Sequence, residues 1–224
     1  MEQVLKVEHI TQRFGGLQAL KDINIEVDRG EIIGIIGPNG AGKTTLFNVI
    51  TGVYKPTEGS VYIEGKNGTG KKPYEITRMG FARTFQNIRL FPRMTILENV
   101  MMGTCCRTKA NVFQIIFNTR AKKREQAQAR ERALEYLKIM GLYEYRYEFP
   151  TSLPYGEQRR LEIARAMATE PKVLLLDEPA AGMNDQETDE LKETVQLLKQ
   201  KGYTIILIEH DMKFVMNVCE RLYV

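Results

Sequence analysis

The chain has 224 residues, 43% of them hydrophobic and 27% charged, with a formal net charge of +4 at pH 7. This length fits one large domain or a core with a subdomain. So mild a positive charge does not call for a nucleic-acid partner, and we expect none. No stretch is long and apolar enough to span a bilayer.

Two further features indicate the cellular compartment of the protein. The N-terminus lacks the basic region and apolar core of a signal peptide. The three cysteines, Cys105, Cys106 and Cys219, are too few and too irregularly spaced for a disulfide framework. We therefore expect reduced thiols and a cytoplasmic protein.

Antiparallel strands are predicted at the start of the chain. Leu5, Val7 and His9 alternate with polar residues and are expected to share one face. Residues 23–27 repeat the pattern after a turn at 15–16, which predicts a pair of antiparallel strands.

A glycine-rich loop follows the next predicted strand, residues 31–36, and precedes a predicted helix over 45–52. It fits the phosphate-binding pattern of two glycines separated by four residues, then Lys and Thr. Lys43 is expected to reach the outer phosphates and the Thr44 hydroxyl to ligate Mg²⁺, while backbone N–H groups cradle the phosphates. The loop comprises Gly37, Pro38, Asn39, Gly40, Ala41, Gly42, Lys43, Thr44 and Thr45.

Residues 65–71 repeat the glycine-to-lysine spacing, but the chemistry is wrong. Lys72 stands where a hydroxyl is needed, and Pro73 follows with no apolar helix face after it. We predict an exposed loop with a turn at 67–68, following a strand over 60–63.

The segment 88–152 has helical character and is predicted to be a subdomain inserted into an α/β core. An apolar stripe at helical spacing ends at a glycine. Its members are Ala127, Ala133, Leu134, Leu137 and Met140, and the glycine is Gly141.

Beyond this insertion, the pattern alternates between strand and helix. Residues 173–176 and 204–208 predict buried strands, and 186–201 predicts the helix between them, which implies a parallel sheet. Residues 221–224 read as a further strand, so we expect the sequence to be truncated at its end.

Polar residues that could take part in catalysis or ligand binding follow the predicted strands. Asp177 and Glu178 end one strand, at the sheet edge where ligands bind in open parallel sheets. Asp177 is expected to hold Mg²⁺ and Glu178 to accept a proton from the attacking water, although a solvated turn is the alternative. His210 could contact a γ-phosphate, and Gln86 could touch Mg²⁺ or water, but either could be structural.

Together, these motifs resemble those of ATP-binding cassette (ABC) ATPases. The resemblance covers nearly the whole chain and rests on the phosphate loop, Gln86, and segments 153–160, 174–179 and 209–211. More narrowly, the chain resembles the ATPase subunits of branched-chain amino-acid importers. Four segments carry that finer likeness: 82–91, 155–165, 177–182 and 208–213.

The resemblance assigns further roles. It implies that Phe14 stacks on adenine, unless it is a core aromatic. It also implies that Tyr155, Gly156 and Glu157 bind the γ-phosphate of ATP held by a second subunit. This chain departs from the family by having Pro154 and Tyr155 where Ser and Gly are usual. Proline has neither a hydroxyl nor an N–H donor, so the serine contact is missing.

The implied architecture is an α/β P-loop NTPase core with an antiparallel β subdomain and an inserted helical subdomain. We expect residues 1–87 and 153–224 to form the core and 88–152 the helical subdomain, with the signature loop at its end. ATP and Mg²⁺ are the implied cofactors. The implied partners are a second ABC ATPase subunit, in a homo- or heterodimer, an integral membrane permease and, indirectly, a substrate-binding protein. The chain would lie in the cytoplasm, on the inner face of the cell membrane.

Residues 87–94 are the expected docking segment for the permease. Ile88, Leu90, Phe91 and Met94 supply apolar surface for a short helix. Alternatively, Leu90 and Phe91 pack in the core of the subdomain.

Three other functions remain open at the sequence level. An ATPase that exports lipid or lipopolysaccharide has similar cassettes. Soluble ABC ATPases of DNA repair or translation usually carry paired cassettes or long coiled insertions, and neither occurs here. The last is a P-loop GTPase or kinase, but the guanine-reading Asn-Lys-x-Asp motif is absent, and those families do not show the signature loop that the resemblance implies here.

Overall fold

The computed structural model describes residues 2–104 and 120–224, and only the backbone of residues 120–123. The expectation for Cys105 and Cys106 falls outside this part of the chain. The residues divide into two units, Met1–Gln86 with Lys172–Val224, and Asn87–Pro171. Within the described ranges, no helix is long and apolar enough to cross a membrane.

The elements of the first unit before the helical insertion are strands β1 (Gln3–Phe14), β2 (Leu17–Asp28) and β3 (Ile32–Ile35), helix α1 (Lys43–Ile50), strands β4 (Glu58–Ile63) and β5 (Lys66–Asn67), helix α2 (Pro73–Arg78) and strand β6 (Phe81–Arg83). The second unit contains helices α3 (Ile96–Thr104) and α4 (Arg120–Ile139), a 3₁₀ turn (Pro150–Ser152) and helix α5 (Tyr155–Met167). The first unit resumes with β7 (Val173–Asp177), α6 (Asp185–Gln200), β8 (Thr204–Ile208), α7 (Met212–Val218) and β9 (Arg221–Tyr223).

The first sheet is antiparallel, with strand order β2-β1-β4-β5. The predicted β1–β2 pair is confirmed, but the expected facing of His9 is wrong. A register shift between Val7 and Ile10 turns His9 outward, with its backbone at φ 51°. Its Nδ1 lies 2.7 Å from the Asp22 carboxylate on the surface. The bulge therefore gives the inward position to Ile10.

The short hairpin of β4 and β5 turns three residues earlier than predicted, at 64–65 in place of 67–68. Ile63 pairs with Lys66, so Glu64 and Gly65 form the turn, with φ 47° and 70°. Helix α2 begins at Pro73, where no helix was expected, because proline suits the first turn of a helix. The segment 65–71 thus joins a hairpin to a helix.

The second sheet is parallel, in the order β6-β7-β8-β3-β9. Every residue of β3, β7 and β8 is buried, as expected for apolar strands covered on both faces. The predicted α/β class and its parallel sheet are confirmed. Since all five strands run the same way, the loops after β3, β7 and β8 leave from one edge.

Helix α4 buries a face close to the predicted stripe. Ala133, Leu137 and Met140 are buried, but Ala127 is exposed, and Ala129 is buried instead. Ala129 completes the stripe because it precedes Ala133 by one helical turn. Gly141, at φ 69°, follows the helix as predicted.

The second unit extends further along the chain than the predicted boundary at residue 152. Helix α5 belongs to it, because α5 packs against both α3 and α4. Its apolar face is fully buried, including Leu161, Ile163 and Met167. The sequence alone could not assign α5 to either unit, since a helix directly before a strand can pack on either side of it.

We expect Gly103→Ala to destabilise the second unit. A Cβ at Gly103 would clash with the Arg165 carbonyl oxygen and lie 2.9 Å from the Ala168 Cβ. Overpacking costs about 1–3 kcal/mol, offset by about 1 kcal/mol from the better helix propensity of alanine. Urea unfolding should therefore show a net loss of stability.

Gly16→Ala is the matched control, because no atom lies within 4 Å of the added methyl group. If the two variants unfold at the same urea concentration, α3 and α5 do not approach each other as closely as described.

Candidate functional site

The glycine-rich loop after β3 is closed by its own lysine. Lys43 Nζ donates hydrogen bonds to the carbonyl oxygens of Gly37, at 2.7 Å, and Pro38, at 2.9 Å. Gly42, at φ 93°, precedes α1, and a Cβ there would lie 2.6 Å from the Ala19 carbonyl oxygen. Only glycine fits this position, so the loop needs its sequence for steric as well as chemical reasons.

The loop opens into a cavity of about 360 Å³. Asn39, Thr44 and Thr45 line it from the loop and the first turn of α1. A helix N-terminus directed at a cavity favours an anionic ligand, because its N–H groups are unpaired there and the helix dipole is positive. Residues 65–71, with the second glycine-to-lysine spacing, do not line this cavity.

Phe14 is an exposed aromatic at the rim of the same cavity. Its side chain remains 42% exposed, so it is not a core residue. Its ring meets that of Tyr54 edge to face, with centroids 5.2 Å apart. The contact holds Phe14 in place and leaves a ring face for stacking a planar ligand.

The three predicted catalytic side chains meet at one carboxylate. Glu178 Oε1 lies 2.8 Å from His210 Nε2, and Glu178 Oε2 accepts a hydrogen bond of 2.8 Å from Gln86 Nε2. Glu178 follows β7 and His210 follows β8, and both line the cavity. Gln86 lies three residues beyond β6.

The backbone of Glu178 is strained. Its φ is 46°, a left-handed conformation that non-glycine residues seldom adopt. Its N–H donates to the Ile208 carbonyl oxygen at 2.9 Å, which ties the end of β7 to β8. Strain of this kind persists only where surrounding contacts enforce it, and it concentrates at functional sites.

Asp177 is buried and paired with an arginine that the sequence analysis missed. Arg83 Nη2 lies 2.6 Å from Asp177 Oδ2, and both side chains are less than a tenth exposed. Arg83 Nη1 also donates to Asn48 Oδ1 on α1 at 2.7 Å. The guanidinium lies over the rings of Phe47 and Phe85, at 5.5 and 5.4 Å. The sequence did carry one indication of this pair, because Arg83 is a charged residue at the end of the short, otherwise apolar strand β6.

Thr44, Gln86 and Asp177 were predicted to bind a metal. Among residues 2–104 and 120–224, no three His, Cys, Asp or Glu side chains form a metal-binding group. The predicted set offers hydroxyl, amide and carboxylate oxygens, the donors that suit Mg²⁺. The chemistry of this donor set suits a nucleotide-bound ion, which commonly completes its shell with phosphate oxygens and water. Of the three side chains, Thr44 lines the cavity, whereas Asp177 is buried and paired with Arg83.

The segment 153–157 lies in the second unit, at the start of α5. Pro154 is the N-cap residue and makes no side-chain hydrogen bond to the helix. Tyr155 is 40% exposed, while Gly156 is buried. Gln158 Nε2 donates to the Leu153 carbonyl oxygen at 2.8 Å, which fastens the turn before the helix.

Asn184 is the N-cap residue of α6. Its side chain accepts the N–H of Glu187, whose carboxylate accepts the N–H of Asn184 in return. This reciprocal capping of α6 explains an asparagine at this position in the isolated chain.

Residues 20–181 match the family described as ABC transporter. Over its full length, the chain is 46% identical to the high-affinity branched-chain amino acid transport ATP-binding protein LivG of Escherichia coli (strain K12), and covers 88% of that protein.

Two solved structures show the same likeness. A crystal structure of the ADP conformation of an ATP-binding cassette of an ABC transporter has a TM-score of 0.87 and 37% identity, covering 100% of this chain and 87% of that one. The dimeric structure of a bacterial ABC transporter cassette has a TM-score of 0.78 and 29% identity, covering 96% of this chain and 91% of that one. Both confirm the predicted cassette fold.

We expect Arg83→Met to cost about 3–5 kcal/mol, because it leaves the Asp177 carboxylate buried without a counter-charge. In Arg83→Met/Asp177→Asn, much of this loss should be recovered, since no buried charge then remains. Urea unfolding of the single and double variants measures the coupling.

Arg221→Met is the matched control. Arg221 pairs with Glu31 at the surface, where the arginine side chain is 43% exposed, and removing it should cost about 0–1 kcal/mol. Strictly additive effects of Arg83→Met and Asp177→Asn would contradict the buried pair.

Proposed function

The chain belongs to the ABC transporter family as one of its ATP-binding subunits, and on that basis we propose that it powers the import of branched-chain amino acids. One observation carries the catalytic part of the proposal. Glu178, held by His210 and Gln86, lines the same cavity as the glycine-rich loop. The relative that is named for branched-chain amino-acid transport supports the cargo, in preference to lipid export.

ATP would bind in the cavity after β3. The N–H groups of the loop from Gly37 to Thr45 would receive the phosphates, with Lys43 supplying a positive charge. Phe14 would stack on the adenine ring. Mg²⁺ neutralises phosphate charge and aligns the outer phosphates when bound, and Thr44, Gln86 and Asp177 would hold it.

Hydrolysis would use Glu178 as the base. Its carboxylate would orient the attacking water and take a proton as the water oxygen bonds to the γ-phosphorus and the bond to ADP breaks. The contacts from His210 and Gln86 support this role, since they occupy both carboxylate oxygens and so restrain the side chain. Their preorganisation lowers the cost of reaching the reactive geometry.

The active assembly would contain two ATPase subunits on a permease. Tyr155, Gly156 and Glu157, at the start of α5, would contact ATP held by the other subunit, whether identical or not. A dimeric cassette among the similar structures supports this arrangement. The permease and a substrate-binding protein would recognise the amino acid, and the chain would lie on the cytoplasmic face of the membrane.

We expect Glu178→Gln to separate binding from hydrolysis. The amide keeps the shape but cannot accept the proton, so turnover should fall at least about a hundredfold. Calorimetry should still show Mg²⁺-dependent ATP binding, and the ATP-bound dimer should accumulate.

Lys43→Ala is the contrasting variant. It removes a charge-assisted contact worth about 1.5–3 kcal/mol, so ATP affinity itself should fall about ten- to a hundredfold. Near-normal turnover of Glu178→Gln would show that Glu178 is not the base. Unchanged ATP affinity of Lys43→Ala would contradict the assignment of residues 37–45 as the phosphate-binding loop.

The segment 87–94 is the proposed docking surface for the permease. Asn99, fully buried on α3, bonds both the N–H and the carbonyl oxygen of Phe91, and its amide also donates to the Met94 carbonyl. Phe91 is nevertheless 42% exposed, with Arg165 over its ring at 5.6 Å. A loop held rigid while it presents an aromatic ring suits an interface anchor.

We expect Phe91→Asp to release the chain from membranes that contain its permease, because a charge replaces the apolar anchor. ATP affinity should stay unchanged. Tyr74→Asp, at a 56% exposed aromatic on α2, is the control and should leave membrane association intact. Co-sedimentation with permease-containing vesicles measures both, and full retention of Phe91→Asp would rule out this surface.

A further inference from the structure

Glu209 is a buried carboxylate that the reaction described above does not use. Its residue is only 4% exposed. Oε1 accepts a hydrogen bond of 2.7 Å from the Ala180 N–H, and Oε2 accepts one of 3.0 Å from the His210 N–H. Both of these partners are main-chain groups.

These donors come from two different loops. Ala180 lies two residues beyond Glu178, in the loop after β7, whereas His210 lies in the loop after β8. A carboxylate is the side chain that fits, because it only accepts hydrogen bonds and has room for several. A neutral amide would turn its own N–H groups towards one of these donors.

We propose that Glu209 is a positioning residue, which ties the loop carrying His210 to the loop that follows Glu178. This rests on the proposed function, in which Glu178 is the base and His210 restrains it. The hydrogen bonds of Glu209 restrain the main chain of both loops. They thereby stabilise the 2.8 Å contact between the His210 ring and the Glu178 carboxylate.

The energetics favour a positioning role over a stabilising one. Burial raises the pKa of Glu209 above its usual range, and the nearby Glu178 charge adds to this, against the opposing effect of the neighbouring backbone N–H groups. The folded chain therefore binds this proton more tightly than the unfolded chain does. As pH rises through the interval between the unfolded and folded pKa values, this group lowers the stability of the fold, and the cost persists at neutral pH.

The experiment compares Glu209→Gln with the unmodified full chain by NMR of the histidine rings. The chain has two histidines, so His9 is an internal reference. His9 has a left-handed backbone, which asparagine tolerates, and His9→Asn therefore assigns the two signals. We expect the His210 ring signal to shift in Glu209→Gln and the His9 signal to stay in place.

Steady-state ATP hydrolysis is the second measurement. With His210 displaced, kcat should fall roughly ten- to a hundredfold, while KM for ATP stays unchanged, since the loop after β3 is untouched. In a His210→Ala background, Glu209→Gln should cause no further loss, because the group that it positions is gone. Glu220→Gln, at an exposed ion pair with Lys199, is the control and should change neither reading.

An unmoved His210 signal with unchanged kcat overturns the proposal, and so does an equal loss of kcat in the His210→Ala background. If Glu209→Gln does not fold, Glu209→Asp replaces it, since the shorter carboxylate cannot reach both loops and should shift the same signal. If the unmodified chain hydrolyses no ATP even when assembled with its permease, the proposed function fails, and the His210 signal alone still decides the role of Glu209.

Discussion

The register of three parallel strands determines where the loops that carry the glycine-rich segment, Glu178 and His210 begin. Ile35 on β3 pairs with Ile208 on β8, and Ile208 pairs with Asp177 on β7. These residues form one row across the sheet, and each strand ends at this row or just beyond it. The glycine-rich loop, Glu178 and His210 therefore leave the sheet side by side. A shift of one residue in either pairing would move a loop along the strand by about 3.3 Å and separate the carboxylate from its partners.

Buried charge surrounds this row, at some cost to stability. Arg83 neutralises Asp177 and also holds Asn48 on α1, so one guanidinium joins the phosphate-loop helix to the end of β7. Among the described residues, Glu209 has no ion-pair partner of this kind, and its carboxylate accepts hydrogen bonds from backbone N–H groups instead. With the strained φ of Glu178, these features trade stability for a fixed geometry. Burial of the apolar strands beneath them stabilises the fold and offsets this destabilisation.

The two units carry different parts of the proposed function. The first holds the cavity, Glu178 and the two side chains that contact its carboxylate. The second offers the start of α5 and the rigid loop around Phe91, which Asn99 fastens from within its own core. Cargo recognition would lie in the membrane and binding-protein partners.

The features formed by residues adjacent in sequence could be predicted from the sequence alone. The loop from Gly37 to Thr45, the strands on either side of the insertion and the family resemblance all depend on neighbours in sequence, and the comparisons confirm the family. Other features depend on groups that only folding brings together. Arg83 meets Asp177 across 94 positions of the chain, and Glu209 meets Ala180 across 29. The outward turn of His9 and the place of α5 in the second unit also needed the tertiary structure, because a bulge and a choice of packing partner leave no local pattern.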